Sequence, residues 1–154
     1  MRFMMIVKAN AASEAGVMPT AEELTEMNAY NEELVKAGVL LAAEGLHPSS
    51  KGTRIRFVDG KKTIIDGPFA ETKELIAGFW LIQVKSREEA LAWFKRVPNP
   101  SFKDDGEIEL RQVFSAEDFG ALQDQVPEVF EAERKFREGE EARARQHQQS
   151  SSAR

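Results

Sequence analysis

The chain has 154 residues, 42% hydrophobic and 31% charged, with a net charge of -5 and no cysteine. A chain of this size buries about two-thirds of its unfolded surface, so one core suffices and neither a disulfide nor a structural metal is needed to hold it. The missing cysteines exclude a disulfide framework, a cysteine-zinc site and a thiol nucleophile, and the acidic balance gives no electrostatic drive toward nucleic acid.

Arg2 is followed by only five apolar residues, Phe3 to Val7, before Lys8. That run is too short for a secretory h-region, so export is not expected and the cytoplasm is the expected location. The longest apolar run, Leu75 to Ile82, falls far short of the roughly 20 residues that span a bilayer. Neither a membrane nor nucleic acid is therefore an expected partner.

Phe3 to Val7 is short and continuously apolar, which predicts a strand buried on both faces. Thr20-Ala21-Glu22-Glu23 has the form of a capping box and predicts a helix start. Leu24, Met27, Tyr30, Asn31, Leu34 and Val35 then recur at helical spacing, and Gly38 supplies the left-handed position that ends the helix. Val39 to Ala43 reads as the second strand, leaving through Glu44-Gly45-Leu46-His47-Pro48. Thr53 to Val58 and Lys62 to Ile65 flank Asp59-Gly60-Lys61, and Asp-Gly between β-rich runs predicts a hairpin. Arg54 and Arg56 alternate with Ile55 and Phe57, so one face of the hairpin is wet or paired.

Leu75 to Val84 is the longest apolar strand. Ser86-Arg87-Glu88-Glu89 is a second capping box, followed by a helix whose stripe is Ala90, Leu91, Trp93, Phe94 and Val97 and which Pro98 stops. Glu107 to Phe114 alternates as a final strand. With the hairpin set aside as an insertion, the order strand, helix, strand, strand, helix, strand is the ferredoxin-like split βαβ pattern, an α+β fold. Both helices cover one face of such a sheet. Yet the strands are apolar on both parities, Phe3, Met5 and Val7 against Met4 and Ile6, and Phe79 and Leu81 against Trp80 and Ile82. A twofold partner packing on the second face is the simplest cover, which predicts a homodimer in the form of a dimeric α+β barrel.

Residues 1–119 form this body, and 120–154 are a charged helical tail. Glu131 and Lys135, Glu133 and Arg137, and Glu141 and Arg145 stand at the favourable four-residue spacing from Gln125 to His147. Val126, Val129, Phe130 and Phe136 are available to dock part of the tail on the body or the partner, and the Gln- and Ser-rich end should fray.

The informative stretch for chemistry is DGPFAETKE, Asp66 to Glu74. Gly67 and Pro68 build a rigid corner, with Asp66 able to accept from the amides of the turn. On one reading Asp66 only caps this turn and Phe69 plugs the core. On the other, the corner holds Glu71, Lys73 and Glu74 at the mouth of a groove between the sheet and the first helix. His47 is the only histidine of the body, and Asp66 could orient it for acid-base work if the hairpin folds back; a histidine before Pro48 also serves as a solvated turn residue. Arg54, Arg56 and Arg111 offer guanidinium forks suited to a carboxylate or phosphate ligand, or else pair with Glu44, Glu71, Glu74 or Glu109 across the sheet. Tyr30, on the helix bounding the same groove, completes the ligand-binding set. Phosphate loop, dinucleotide fingerprint, zinc helix, serine elbow and calcium loop are all absent, so no metal and no cofactor is expected.

DGPFAETKE, followed by Gly78-Phe79-Trp80-Leu81-Ile82, Glu89-Ala90-Leu91-Ala92-Trp93 and a closing Glu109-Leu110-Arg111, resembles the YCII-related family, specifically its DGPF branch, over roughly Met1 to Phe114. The resemblance implies a bacterial protein with a ferredoxin-like fold, commonly dimeric, and a proposed pocket without an established reaction. Related domains occur beside sigma-factor-like proteins, which implies a regulatory link. Two departures stand out. Some members of the wider family pair a histidine on the first helix with an aspartate, whereas this helix has Asn28, Tyr30 and Asn31. Where the branch often ends its last strand in Arg-Pro-Val, this chain has Arg111-Gln112-Val113. The expected function is the binding of a small polar or anionic metabolite in a pocket beside the corner, with His47 and Asp66 as the acid-base pair if it is an enzyme. The alternative is a non-catalytic regulatory or interaction module.

Overall fold

A computed structural model of the chain describes residues 1–70, 74–99 and 106–152, with side chains up to residue 146. Four antiparallel strands make the main sheet: β1 (Arg2–Lys8), β2 (Leu40–Gly45), β5 (Ile76–Gln83) and β6 (Ile108–Gln112), in the order β2-β5-β1-β6. Two further strands, β3 (Thr53–Val58) and β4 (Lys61–Asp66), form a separate two-stranded sheet. The helices are α1 (Ala11–Glu14), α2 (Ala21–Lys36), α3 (Arg87–Phe94), α4 (Leu122–Gln125) and α5 (Pro127–Ser152). With the hairpin set aside, this is the α+β arrangement expected from the ferredoxin-like pattern.

The register divides the residues of the central strands between two faces. Met5 stands opposite Trp80 and Phe3 opposite Ile82, and these four are buried with Val7, Tyr30, Leu34, Val39, Val84 and Ala90 in one core beneath α2 and α3. Phe3, Met5, Leu34 and Ile82 are the largest fully buried side chains, each worth roughly 1.5–3 kcal/mol of transfer free energy. α2 begins at the expected capping box: Thr20 Oγ1 accepts from the Glu23 amide at 3.3 Å, and the Glu23 carboxylate takes the Thr20 amide. Gly38 ends it with φ 69°. At α3 the Ser86 hydroxyl accepts from the Glu89 amide, but the Glu89 carboxylate accepts from Lys85 N, one residue before the position a capping box requires.

On the opposite face Met4 stands against Leu81 and Ile6 against Phe79, and all four are half-buried. Glu109 and Arg111, opposite Ile6 and Met4, form an ion pair at 3.5 Å, and Lys8 joins Glu109 at 3.4 Å. The tail does not stand free. α5 packs against β2, and Phe114, Phe119 and Phe130 stack in sequence with ring centroids 5.7 and 5.5 Å apart. Of the two surfaces left open to the tail, the body and a partner, α5 thus meets the body, at β2.

The hairpin turns as Asp-Gly predicts. Asp59 and Gly60 both take positive φ, 49° and 73°, the conformation that matches a tight two-residue turn to the twist of its strands. Its pairing is regular from Thr53 opposite Asp66 to Val58 opposite Lys61. Apart from half-buried Ile65, every residue of the two strands is exposed.

Candidate functional site

The corner is built around Ser49, the first residue of a 3-10 turn (Ser49–Lys51) and the one buried polar residue among the described residues. α1 exists because Asn10 and Ser13 cap each other: the Ser13 amide donates to Asn10 Oδ1 at 2.8 Å and the Asn10 amide to Ser13 Oγ at 2.9 Å. That short helix carries Glu14 to Ser49. The Ser49 amide donates to Glu14 Oε1 and Oε2 at 3.1 and 3.2 Å, and the Ser49 hydroxyl donates to Oε2. The same hydroxyl oxygen accepts from the Phe69 amide at 3.1 Å. One serine thus ties the strand 2 exit to both α1 and the corner, satisfying a buried hydroxyl that would otherwise be costly.

Gly67 closes the other side. Its amide donates to the Gly52 carbonyl at 2.9 Å, and its peptide bond with Pro68 is cis. A β-carbon there would stand 1.8 Å from the Ser49 carbonyl oxygen, so only glycine fits. Just outside, Thr53 Oγ1 donates to Asp66 Oδ1 at 3.0 Å, and the Arg54 guanidinium lies 3.8 Å from the centroid of the Phe69 ring. The result is a rigid platform with cationic and anionic groups at its surface. A guanidinium seated over an aromatic ring has N–H donors left to offer an oxyanion.

The expected site residues divide by position. Asp66, Arg54 and Arg56 gather on and beside the platform. Among the described residues Arg54 meets Phe69 rather than a carboxylate, and Arg56 makes no ion pair. His47 is exposed on the strand 2 exit, and no hydrogen bond or ion pair joins it to Asp66, whose Oδ1 is held by Thr53. Arg111 lies on β6 with Glu109, away from the corner. Glu74 is exposed at the start of the segment leading to β5. Glu71 and Lys73 lie outside the described residues.

Tyr30 sits in the core. Its hydroxyl donates to the Trp93 carbonyl at 3.0 Å and its ring meets Trp80 edge-on at 5.9 Å, joining α2, α3 and β5. Burial pushes its phenol far above the usual range, with Arg96 opposing weakly. The Trp80 indole donates to Asn31 Oδ1 at 2.7 Å. Tyr30 and Asn31 of α2 are thus used for packing.

Glu14, Ser49 and Thr53 were not singled out by sequence reasoning. The Asn-x-x-Ser pattern at Asn10 signals a helix start and hence Glu14's placement, but nothing local signals that Ser49 would meet Phe69. Among the described residues no group of three or more histidines or acids converges to hold a metal, and no helix is long and apolar enough to cross a membrane.

The family model of the YCII-related domain matches residues 1–117. The chain belongs to the YCII-related family. An uncharacterized protein of Rhizobium meliloti (strain 1021) is 36% identical over 76 residues, which is 49% of this chain and 61% of that protein. The chain thus spans about three-fifths of that relative's length. The YCII-related match takes in the whole sheet, the hairpin and the Gly67 corner, and it stops before α4 and α5.

Proposed function

We propose that this YCII-related chain, as a member of the DGPF branch, binds a small anionic metabolite at the platform formed by Arg54, Arg56, Asp66 and the Gly67 corner. The observation that carries this reading is the Arg54 guanidinium laid over Phe69 while the corner beneath it is locked through Ser49 and Glu14. Preorganised donors lose little freedom on binding, which is what a small ligand with few contacts requires. Glu74, exposed at the start of the segment leading to β5, stands at the mouth. His47 and Asp66, both exposed, flank the bound ligand as acid and base where turnover occurs. The setting is the bacterial cytoplasm, and the unit is a homodimer whose second sheet faces, with Met4, Ile6, Phe79 and Leu81, pack together.

The test is a titration of isotope-labelled protein with phosphate and carboxylate metabolites, read by amide shifts at Gly52, Arg54, Gly67 and Phe69. Arg56→Ala should weaken a binding anion about tenfold, equivalent to about 1.4 kcal/mol. Shifts confined to residues far from the corner, or equal affinity in the variant, overturn the reading. An interaction module is favoured by one observation, the apolar side chains exposed on the hairpin.

A further inference from the structure

The hairpin register puts the two arginines of the platform on one face. Arg54 stands opposite Ile65, Arg56 opposite Thr63 and Val58 opposite Lys61. Directly opposed residues project to the same side of a sheet, as do alternate residues of one strand. Arg54, Arg56 and Lys61 therefore share a face with Val58, Thr63 and Ile65. No acid of the hairpin lies on it: Asp66 pairs with Thr53 on the other face, and Asp59 is in the turn. The α-carbons of Arg54 and Arg56, two residues apart on an extended strand, are about 7 Å from each other. Among the described residues neither side chain has a carboxylate partner.

Like charges side by side on an exposed strand repel, and elsewhere the chain answers its cations with acids. Arg96 has Glu33, Lys8 and Arg111 share Glu109, and Arg134, Arg137 and Arg145 each have a glutamate within four residues. The pair on β3 is left open. Its members are held differently: Arg54 is seated over Phe69 on the locked corner, whereas Arg56 is exposed, with the Thr63 hydroxyl as a neutral donor across the ladder. Half-buried Ile65, opposite Arg54, adds an apolar surface beside them. A single carboxylate or phosphate satisfies one guanidinium fork. A molecule with two acidic groups joined by a few carbons satisfies both and lays its carbons against Ile65.

We propose that the ligand of the platform is a dianion, one acidic group held by Arg54 and the other by Arg56 and the Thr63 hydroxyl, with the connecting carbons against Ile65. The inference rests on the anion platform proposed above and names the class of molecule it takes. Malonate, adipate and suberate, dicarboxylates of increasing length, test it by titration of isotope-labelled protein read at the amides of Arg54, Arg56, Thr63 and Phe69. Malonate carries the same charge with its two groups too close together to reach both arginines. Adipate or suberate should bind about tenfold more tightly than malonate, the worth of one added charge-assisted hydrogen bond. In Arg56→Gln, which alters an exposed side chain with no ion pair to lose among the described residues, that advantage should disappear. Malonate binding as tightly as the longer acids, or an advantage that persists in Arg56→Gln, overturns the dianion and leaves the platform standing; shifts with inorganic phosphate alone do the same. No shift at these amides with any of the three acids or with phosphate sinks platform and dianion together.

Discussion

The carbonyl oxygen of Ser49 occupies the space that a side chain on Gly67 would enter, 1.8 Å from the position of its β-carbon. Both groups are backbone, so neither swings aside as the end of a flexible side chain would. Gly67→Ala should destabilise the protein by about 2–3 kcal/mol, in the upper range for inserting a carbon into a packed site. Urea unfolding checks this, and a midpoint within error of the parent's would show that the corner yields.

Ser49 links Glu14 to Phe69 through a single hydroxyl. Removing it leaves the Phe69 amide without its acceptor and the Glu14 carboxylate with one donor fewer. Ser49→Ala should cost about 1–3 kcal/mol, the desolvation penalty of unpaired buried groups. At roughly 2–4 °C per kcal/mol for a chain this long, the melting temperature falls by several degrees. An unchanged melting curve would mean that solvent already serves both groups.

Tyr30 gives the stability a pH dependence. Burial raises its phenol pKa in the folded protein above the unfolded value, which for tyrosine is about 10. The stability is fully present below that value. Above it the unfolded chain releases the proton while the folded chain retains it, so stability falls as pH rises. Tyr30→Phe should flatten the fall between about pH 10 and 11 and cost about 1 kcal/mol at neutral pH for the bond to Trp93. Guanidinium unfolding of both proteins across that window gives the comparison, and parallel curves would place the titration elsewhere.

Asn31 accepts from the Trp80 indole at 2.7 Å. Asn31→Ala leaves that donor, partly buried, to find water, and should destabilise by about 1–2 kcal/mol. The fluorescence maximum of Trp80 should also move to the red, isolated by a Trp93→Phe background. No change in emission would show that the indole was already hydrated.

Phe119 is the middle ring of the three that fasten α5. Phe119→Ala should speed tryptic cleavage at Lys135 and Arg137 severalfold while shifting the main melting transition by less than about 2 °C, since the core cluster contains none of these rings. Cleavage at the parental rate would show that the β2 contact alone holds the helix.

Strand order and core were legible in the sequence because periodicity and caps are local signals. Thr20, Gly38 and the Asp59-Gly60 turn each encode their geometry within four residues, and the parity of Phe3, Met5, Trp80 and Ile82 assigns them to one face. The candidate site was legible only at its glycine and proline. Its interior was not, because Glu14, Ser49 and Phe69 are distant in sequence and meet only through the assembled backbone. Tyr30 shows the same limit from the other side: helical spacing puts it on the inner face, but only the position of the Trp93 carbonyl commits its hydroxyl to the core. For α5, charge patterning gave the helix and left open which surface it would meet.

The two outermost strands of the main sheet are protected by different means. β2 lies against α5, while β6 presents Glu109, Arg111 and Gln112 beside β1. An open strand bordered by unpaired amides is a template on which further copies polymerise, and a covering helix at one border with charged side chains at the other blocks that growth. Losing α5 to proteolysis should therefore leave the Gly67 corner intact and make the shortened chain prone to fibrils.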